Sequence, residues 1–178
     1  MDEALYLIEK IKKKDKKAFR KFYDLFYEKV FFYIYHVIKN KDSAEDILIE
    51  TFFEVWKSAA KFKKRATPIS WVLGIARNIS LKYLKKKEEE INDVHIKFDE
   101  DIERSLKQQE LKQILEKAFL HLSLEHREIL NLVFYQELSY LEIAKILDIP
   151  VNTVKTRVFY AKKNLKEILY KMGVKDVL

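Results

Sequence analysis

The sequence predicts an all-α protein: two small helical domains joined by an acidic linker. Three observations carry this expectation. Two glycines and two prolines in 178 residues leave few turn signals, so long segments run without interruption. Hydrophobic residues make up 48% of the chain, and they recur every three or four positions, the period of a helix. Charge falls in blocks. Lys61 to Lys87 holds nine basic residues and no acidic one, and Glu88 to Glu103 holds eight acidic residues against Lys97 alone. Pro150 to Met172 returns to six basic and one acidic.

A first helix is expected from about Asp2 to Lys13, with Leu5, Ile8 and Ile11 on one side. Asp15 is placed to cap a long second helix through Phe19, Phe22, Phe26, Val30, Tyr33 and Val37. The segment from Asn40 to Ser43 breaks it, and Asp42, with Glu45 three residues on, resembles a cap for a third helix reaching Ser58. Thr67-Pro68 opens a fourth, with proline in the first turn where its missing N–H costs nothing. That helix runs through Trp71, Ile75, Ile79 and Tyr83 into the lysine run. Residues 88–104, rich in like charge and weakly periodic, read as an extended linker between a domain at 1–87 and one at 105–178. Leu106 to Leu122 restores the helical period, and Ser123 caps a helix through Ile129, Leu132 and Val133. Ser139 and Glu142 form a capping box for a short helix ending near Leu147. Asp148 to Val151 makes a tight turn, and Asn152 is the expected cap of a last helix to Met172.

Composition narrows the function. The chain has no cysteine, so disulfides and thiolate metal sites are excluded. With Gly74 and Gly173 as its only glycines it has no phosphate-cradling loop. His121 and His126 are five apart, off one helix face, and nothing nearby completes a metal site. No catalytic residues, metal or cofactor are therefore expected. The N-terminus lacks the apolar stretch of a signal peptide, and no apolar run approaches the ~20 residues of a membrane span. A cytoplasmic protein without membrane insertion is the expectation. A net charge of +7, divided into two basic blocks around an acidic strip, points to nucleic acid as partner.

The segment from Ser139 to Tyr160, SYLEIAKILDIPVNTVKTRVFY, reads as a helix-turn-helix. Ile143, Leu147, Ile149, Val154 and Val158 are spaced to form the small core between two crossing helices. Asp148 sits in the turn, where a left-handed backbone is needed. The second helix would enter a major groove with Thr153, Lys155, Thr156, Phe159, Tyr160 and Lys163 facing outward.

This stretch, with LSLEHREILNLVF before it, resembles region 4 of bacterial RNA polymerase sigma factors. Upstream, DSAEDILIETFFEVW (Asp42 to Trp56) is similar to region 2.2 of the small extracytoplasmic-function (ECF) type. WVLGIARN (Trp71 to Asn78) is similar to the core of regions 2.3 and 2.4. The three motifs stand in the family's order and at its spacing.

The resemblance implies a sigma factor that binds core RNA polymerase and directs initiation by reading −35 and −10 promoter elements, and not an enzyme. Its partners would be the clamp helices of the largest polymerase subunit, the flap of the second largest and promoter DNA; anti-sigma factors are common partners in the family. Asp46, Ile49, Glu50 and Phe53 would meet the clamp helices, with Ala44, Ile47, Val55 and Trp56 in the core. Lys61, Lys63, Lys64, Arg65 and Arg77 would face phosphates of the melted −10 strand, and Asn78 matches a position that reads a flipped base. Lys155, Thr156, Phe159 and Tyr160 match the −35 readers, with Thr153 beside them and Arg157 and Lys163 nearer the DNA backbone. The linker resembles the family's segment that threads the polymerase cleft and RNA-exit channel. Three positions depart from the pattern: Ile49 replaces a usual Gln, Asn152 a Gly and Tyr160 a frequent Arg. The alternative is an autonomous helix-turn-helix regulator, which accounts for Ser139 to Tyr160 but leaves WVLGIARN and the 61–87 block unexplained.

Overall fold

A computed structural model describes residues 3–90 and 107–174. Its regular elements are helices: α1 (Glu3–Lys12), α2 (Lys16–Ile38), α3 (Lys41–Ser58), α4 (Pro68–Glu90), α5 (Lys107–Leu120), α6 (Leu124–Leu130), α7 (Tyr140–Leu147) and α8 (Val151–Lys171). A short 3₁₀ turn at Ala59–Lys61 follows α3, and a π-helical stretch at Asn131–Tyr135 continues α6. Sheet strands are absent among the described residues.

Local chemistry sets most of the boundaries. The Asp15 carboxylate accepts the N–H groups of Lys17 and Ala18 at 2.9 and 3.0 Å and starts α2, as the sequence implied. At its far end Lys39 turns left-handed at φ 60°, which throws Asn40 into extended backbone at the head of α3. Asn40, and not Asp42, is therefore the cap, accepting the Ser43 N–H at 2.8 Å; Asp42 lies inside the first turn. The Ser139–Glu142 capping box is present in full, and Asp148 is left-handed at φ 54°, ψ 50°. Pro150, whose ring fixes φ at −60°, takes the cap position of α8 two residues earlier than expected, and Asn152 falls within the helix. The expected linker falls outside the described residues except for Glu88 to Glu90. Those three extend α4, lysine and glutamate both being good helix formers.

α1 to α4 pack around Ile8, Ile11, Phe22, Val30, Ile34, Val55, Val72 and Leu73, all fully buried. α5 to α8 pack around Ile129, Leu132, Ile143, Val154 and Ala161. Removing such side chains from water contributes about 1.5–3 kcal/mol each, and the buried side chains of the two modules join in one cluster.

The two modules also pack on each other, α2 against α6 and α4 against α7. Much of this seam is polar. Arg127 in α6 is buried and donates to the carbonyls of His36 (2.7 Å) and Val37 (3.4 Å), at the C-terminal end of α2, and to its own Leu122 (2.6 Å). A cation there satisfies carbonyls that the helix leaves unpaired and complements its dipole. One oxygen of the neighbouring Glu128 accepts from the Tyr33 hydroxyl at 2.7 Å and from Arg77 Nε at 2.8 Å. Asn131 Nδ2 lies 2.6 Å from His36 Nδ1. An amide nitrogen can only donate, so that ring nitrogen is the acceptor and the imidazole is neutral. Burial and the Arg127 charge agree, holding the His36 pKa down at about 4. The π-helical stretch folds Gln136 back over Asn131 (3.2 Å), from where it also donates to the Lys29 carbonyl at 3.0 Å.

Candidate nucleic-acid interface

α8 carries the first surface. Val154, Val158, Ala161, Leu165 and Leu169 repeat at three and four residues and bury one face against α6 and α7. The opposite face is left to solvent: Thr153, Lys155, Thr156, Phe159, Tyr160 and Lys163 are all exposed. Phe159 and Tyr160 meet edge to face at 5.4 Å, and Thr156 Oγ1 donates to the Asn152 carbonyl at 3.0 Å. Arg157 differs. It is half-buried and its guanidinium lies 3.6 Å from Glu125, on the flank of the exposed row. The helix-turn-helix thus presents a basic and aromatic ridge of the shape and length that a major groove accepts.

A second basic surface lies between the 3₁₀ turn and α4. Lys61, Lys63, Lys64 and Arg65 are exposed on that loop. Lys64 is left-handed at φ 59° and pairs with Glu9 at 3.1 Å. Arg77, expected on phosphates, is turned instead to Glu128 across the seam; a buried carboxylate at 2.8 Å outcompetes solvent for the guanidinium. The next residue, Asn78, is exposed and lines a cleft of about 550 Å³ between α4 and α7. Trp71 and Gly74 form its α4 wall, Glu142 and Lys145 its α7 wall. Trp71 itself packs on Phe62 at 4.9 Å.

The α7 wall is fastened. Glu142 uses one oxygen for its own capping box and the other for the Thr67 and Ser70 hydroxyls at 2.9 and 3.1 Å, at the N-terminal end of α4. Burial opposes its ionisation, but the hydrogen bonds from Ser139, Thr67 and Ser70 outweigh it and hold the carboxyl below the ordinary range. Lys145 adds a bond to the Arg65 carbonyl at 3.4 Å.

A third surface is apolar and acidic. Asp46, Ile49, Glu50 and Phe53 share one exposed face of α3, and Ile49 and Phe53 keep 66% and 59% of their surface. Ala44, Ile47 and Val55 point the other way into the core, and Trp56 packs on Phe19 at 5.1 Å. Large apolar side chains held in water at this spacing mark an interaction face.

Among the described residues no group of three or more His, Asp or Glu side chains could hold a metal ion. No described helix is long and apolar enough to cross a membrane.

What sequence reading missed is the seam. Arg127, Glu128 and Asn131 share one side of α6 and its π-helical continuation, a polar stripe that by itself reads as a solvated face. The signal was there in the strip of charge inside an otherwise apolar run, Leu122 to Phe134, but its partners lie more than 50 residues away.

These features define a two-module, all-helical DNA-binding protein. Comparison with known proteins gives it a family. Sigma-70 region 2 matches residues 22–90, and Sigma-70, region 4 matches residues 112–165. The ECF RNA polymerase sigma factor SigM of Bacillus subtilis is 30% identical over 159 residues, covering 86% of this chain and 96% of the relative. SigW of the same organism is 28% identical over 176 residues, covering 91% and 94%. The solved structure of the sigma factor RpoE in complex with the anti-sigma factor NepR, from Bartonella quintana, superposes with a TM-score of 0.76 at 25% identity, covering 86% of this chain and 98% of that one. The chain belongs to the ECF family of RNA polymerase sigma factors. It directs promoter-specific transcription.

Proposed function

We propose that residues 1–87 dock on core polymerase through Asp46, Ile49, Glu50 and Phe53 and capture the melted −10 strand. Lys61, Lys63, Lys64 and Arg65 hold its phosphates, Arg77 joins them on leaving Glu128, and Asn78 reads a base. Residues 105–178 read the −35 element from duplex DNA through Thr153, Lys155, Thr156, Phe159 and Tyr160, with Arg157 and Lys163 on the backbone, and residues 88–104 link the two. The protein acts by binding, in the cytoplasm, and carries out no chemistry of its own. An anti-sigma factor is a further partner, by likeness to RpoE, whose solved structure contains NepR.

The observation that carries this reading is the division of labour between exposed faces: a basic aromatic ridge on α8, a basic loop beside the Asn78 cleft, and an apolar face on α3. Phosphate contacts alone bind single and double strands too similarly to open a promoter. A side chain that engages a base edge only after the base leaves the stack supplies the difference, and the Asn78 amide can both donate and accept.

The test is run-off transcription with purified core polymerase. Asn78→Ala leaves helicity and core binding intact, lowers initiation on duplex promoters and abolishes preference at one −10 base. A pre-melted template restores opening but not that preference. Unchanged base preference in the Asn78→Ala holoenzyme removes Asn78 from the reading.

A further inference from the structure

The outward row of α8 carries no arginine. The one arginine of the helix, Arg157, lies half-buried on the flank, with the Glu125 carboxylate at 3.6 Å. In its place the row holds two large rings in water, Phe159 at 65% and Tyr160 at 52% exposure. Resting on the assignment of α8 to the −35 element, we propose that Tyr160, braced by Phe159, sets the specificity of this helix by closing on the C5 methyl group of a thymine in the major groove.

Each base shows the major groove a different set of groups. Guanine presents two acceptors and is met by the fork of an arginine or by a lysine; adenine is met by an amide; thymine alone presents a methyl group. In the first turns of α8, Lys155 and Asn152 are suited to polar base edges. Further along the choice narrows. Thr156 donates its hydroxyl to the Asn152 carbonyl at 3.0 Å, which leaves it no proton for a base. Phe159 has no polar side-chain atom at all, and the ring of Tyr160 stands beside it. The middle of the row is therefore an apolar surface, and the apolar group that DNA offers in this groove is the thymine methyl.

The two rings meet edge to face at 5.4 Å. Neighbouring rings in that arrangement restrict each other's rotation, so less freedom is lost when they bind. Both lie within about three turns of the start of α8, the stretch of a recognition helix that base edges can reach. Their surroundings suit an acidic polymer better than a protein: no acidic residue occurs from Val151 to Asn164, and exposed Lys155 and Lys163 stand before and after the rings.

The test uses holoenzyme assembled from the full chain and purified core polymerase. Run-off transcription on genomic fragments recovers a promoter, whose −35 element is then randomised; initiation should select thymine at one or more positions. Uracil in place of that thymine removes the methyl group alone and lowers initiation at limiting holoenzyme about fourfold, the effect of burying one methyl-sized group. Tyr160→Ala abolishes the uracil penalty, Tyr160→Phe keeps it, and Tyr160→Arg moves the preference at that base pair to guanine. Tyr160 is exposed, so circular dichroism should show unchanged helicity in all three variants. Uracil that serves as well as thymine, or a penalty that survives Tyr160→Ala, overturns the ring contact, while a −35 preference in the parent leaves the assignment of α8 standing. A penalty lost in Tyr160→Phe as fully as in Tyr160→Ala gives the contact to the hydroxyl and overturns the methyl reading. No preference at any −35 position in the parent overturns both.

Discussion

The interior of the N-terminal module and the seam against the C-terminal one are equally dry but built of different groups. The first is Ile8, Ile11, Phe22, Val30, Ile34 and Leu73; the second sets His36, Arg127, Glu128, Asn131 and Gln136 among the rings of Tyr33, Phe119 and Tyr135. Burying hydrocarbon gains free energy that is lost whenever the surfaces separate. Burying a hydrogen-bonded ion pair sets attraction against desolvation and comes out near balance. The module interior is thus held mainly by hydrocarbon burial, and the seam by a mixture of buried hydrogen bonds, ion pairs and aromatic contacts. Polar seams also demand register, since each donor must find its acceptor, so the closed form, with the modules packed, is specific even where it is weak.

The largest effect expected from testing this contrast lies in the interior. Phe22 is fully buried and meets Phe26 edge to face at 4.8 Å. Phe22→Ala should cost about 3–5 kcal/mol in denaturant unfolding. Without denaturant, energy transfer across the seam, between dyes on Lys21→Cys and Lys171→Cys, both exposed, should stay at the parent value while the module remains folded. Loss of transfer ahead of unfolding would show the seam to be an extension of the core.

A smaller and reversible effect is expected from pH. His36 is neutral in the closed form, with a pKa of about 4 against an ordinary 6.5. It faces Arg127 and Asn131 from α6 and its continuation, and the rings of Phe119 and Tyr135. The open form binds the proton more readily, so closure is fully supported above pH 6.5 and loses support as pH falls toward 4. The whole loss is about 3 kcal/mol. The Glu142 carboxyl is held below the ordinary range, its burial outweighed by hydrogen bonds from Ser139, Thr67 and Ser70. Energy transfer between the modules should therefore fall between pH 6.5 and 4 with helicity retained, and His36→Gln should flatten the curve. A curve that His36→Gln leaves unchanged would assign the transition to another group.

How much of this the sequence displays depends on how local the cause is. Asp15, Ser123, Ser139 and left-handed Asp148 are legible because a cap or a turn is decided within four residues. The exposed faces of α3 and α8 are legible for the same reason: their buried faces follow the helical period. Boundaries moved where two local signals competed, as when left-handed Lys39 passed the cap of α3 to Asn40. The seam was not legible. Arg127 is bonded to residues 90 and 91 positions away and Glu128 to one 95 away, and nothing near them in sequence distinguishes a clasped polar stripe from a wet one. The motif sets Arg77 among phosphate-facing neighbours, while its contact lies in the other module.

The smallest effect concerns Gly74, which lines the cleft from the middle of α4. A methyl group built there meets nothing within 4 Å, so contact with α7 does not require glycine. Its backbone is helical, so no unusual conformation requires it either. A mid-helix glycine is less stable than alanine by about 0.5–1 kcal/mol. Close approach by something that enters the cleft once α7 has moved would account for tolerating that cost. Gly74→Ala should therefore raise unfolding stability by about 0.5–1 kcal/mol and leave closure unchanged. It should also weaken single-strand binding and slow initiation on duplex promoters, because the added methyl stands where a nucleotide would lie against the helix. A more stable variant with undiminished strand binding would mean that no nucleotide approaches α4 at Gly74, and the base site would have to lie further along the helix, beyond Asn78.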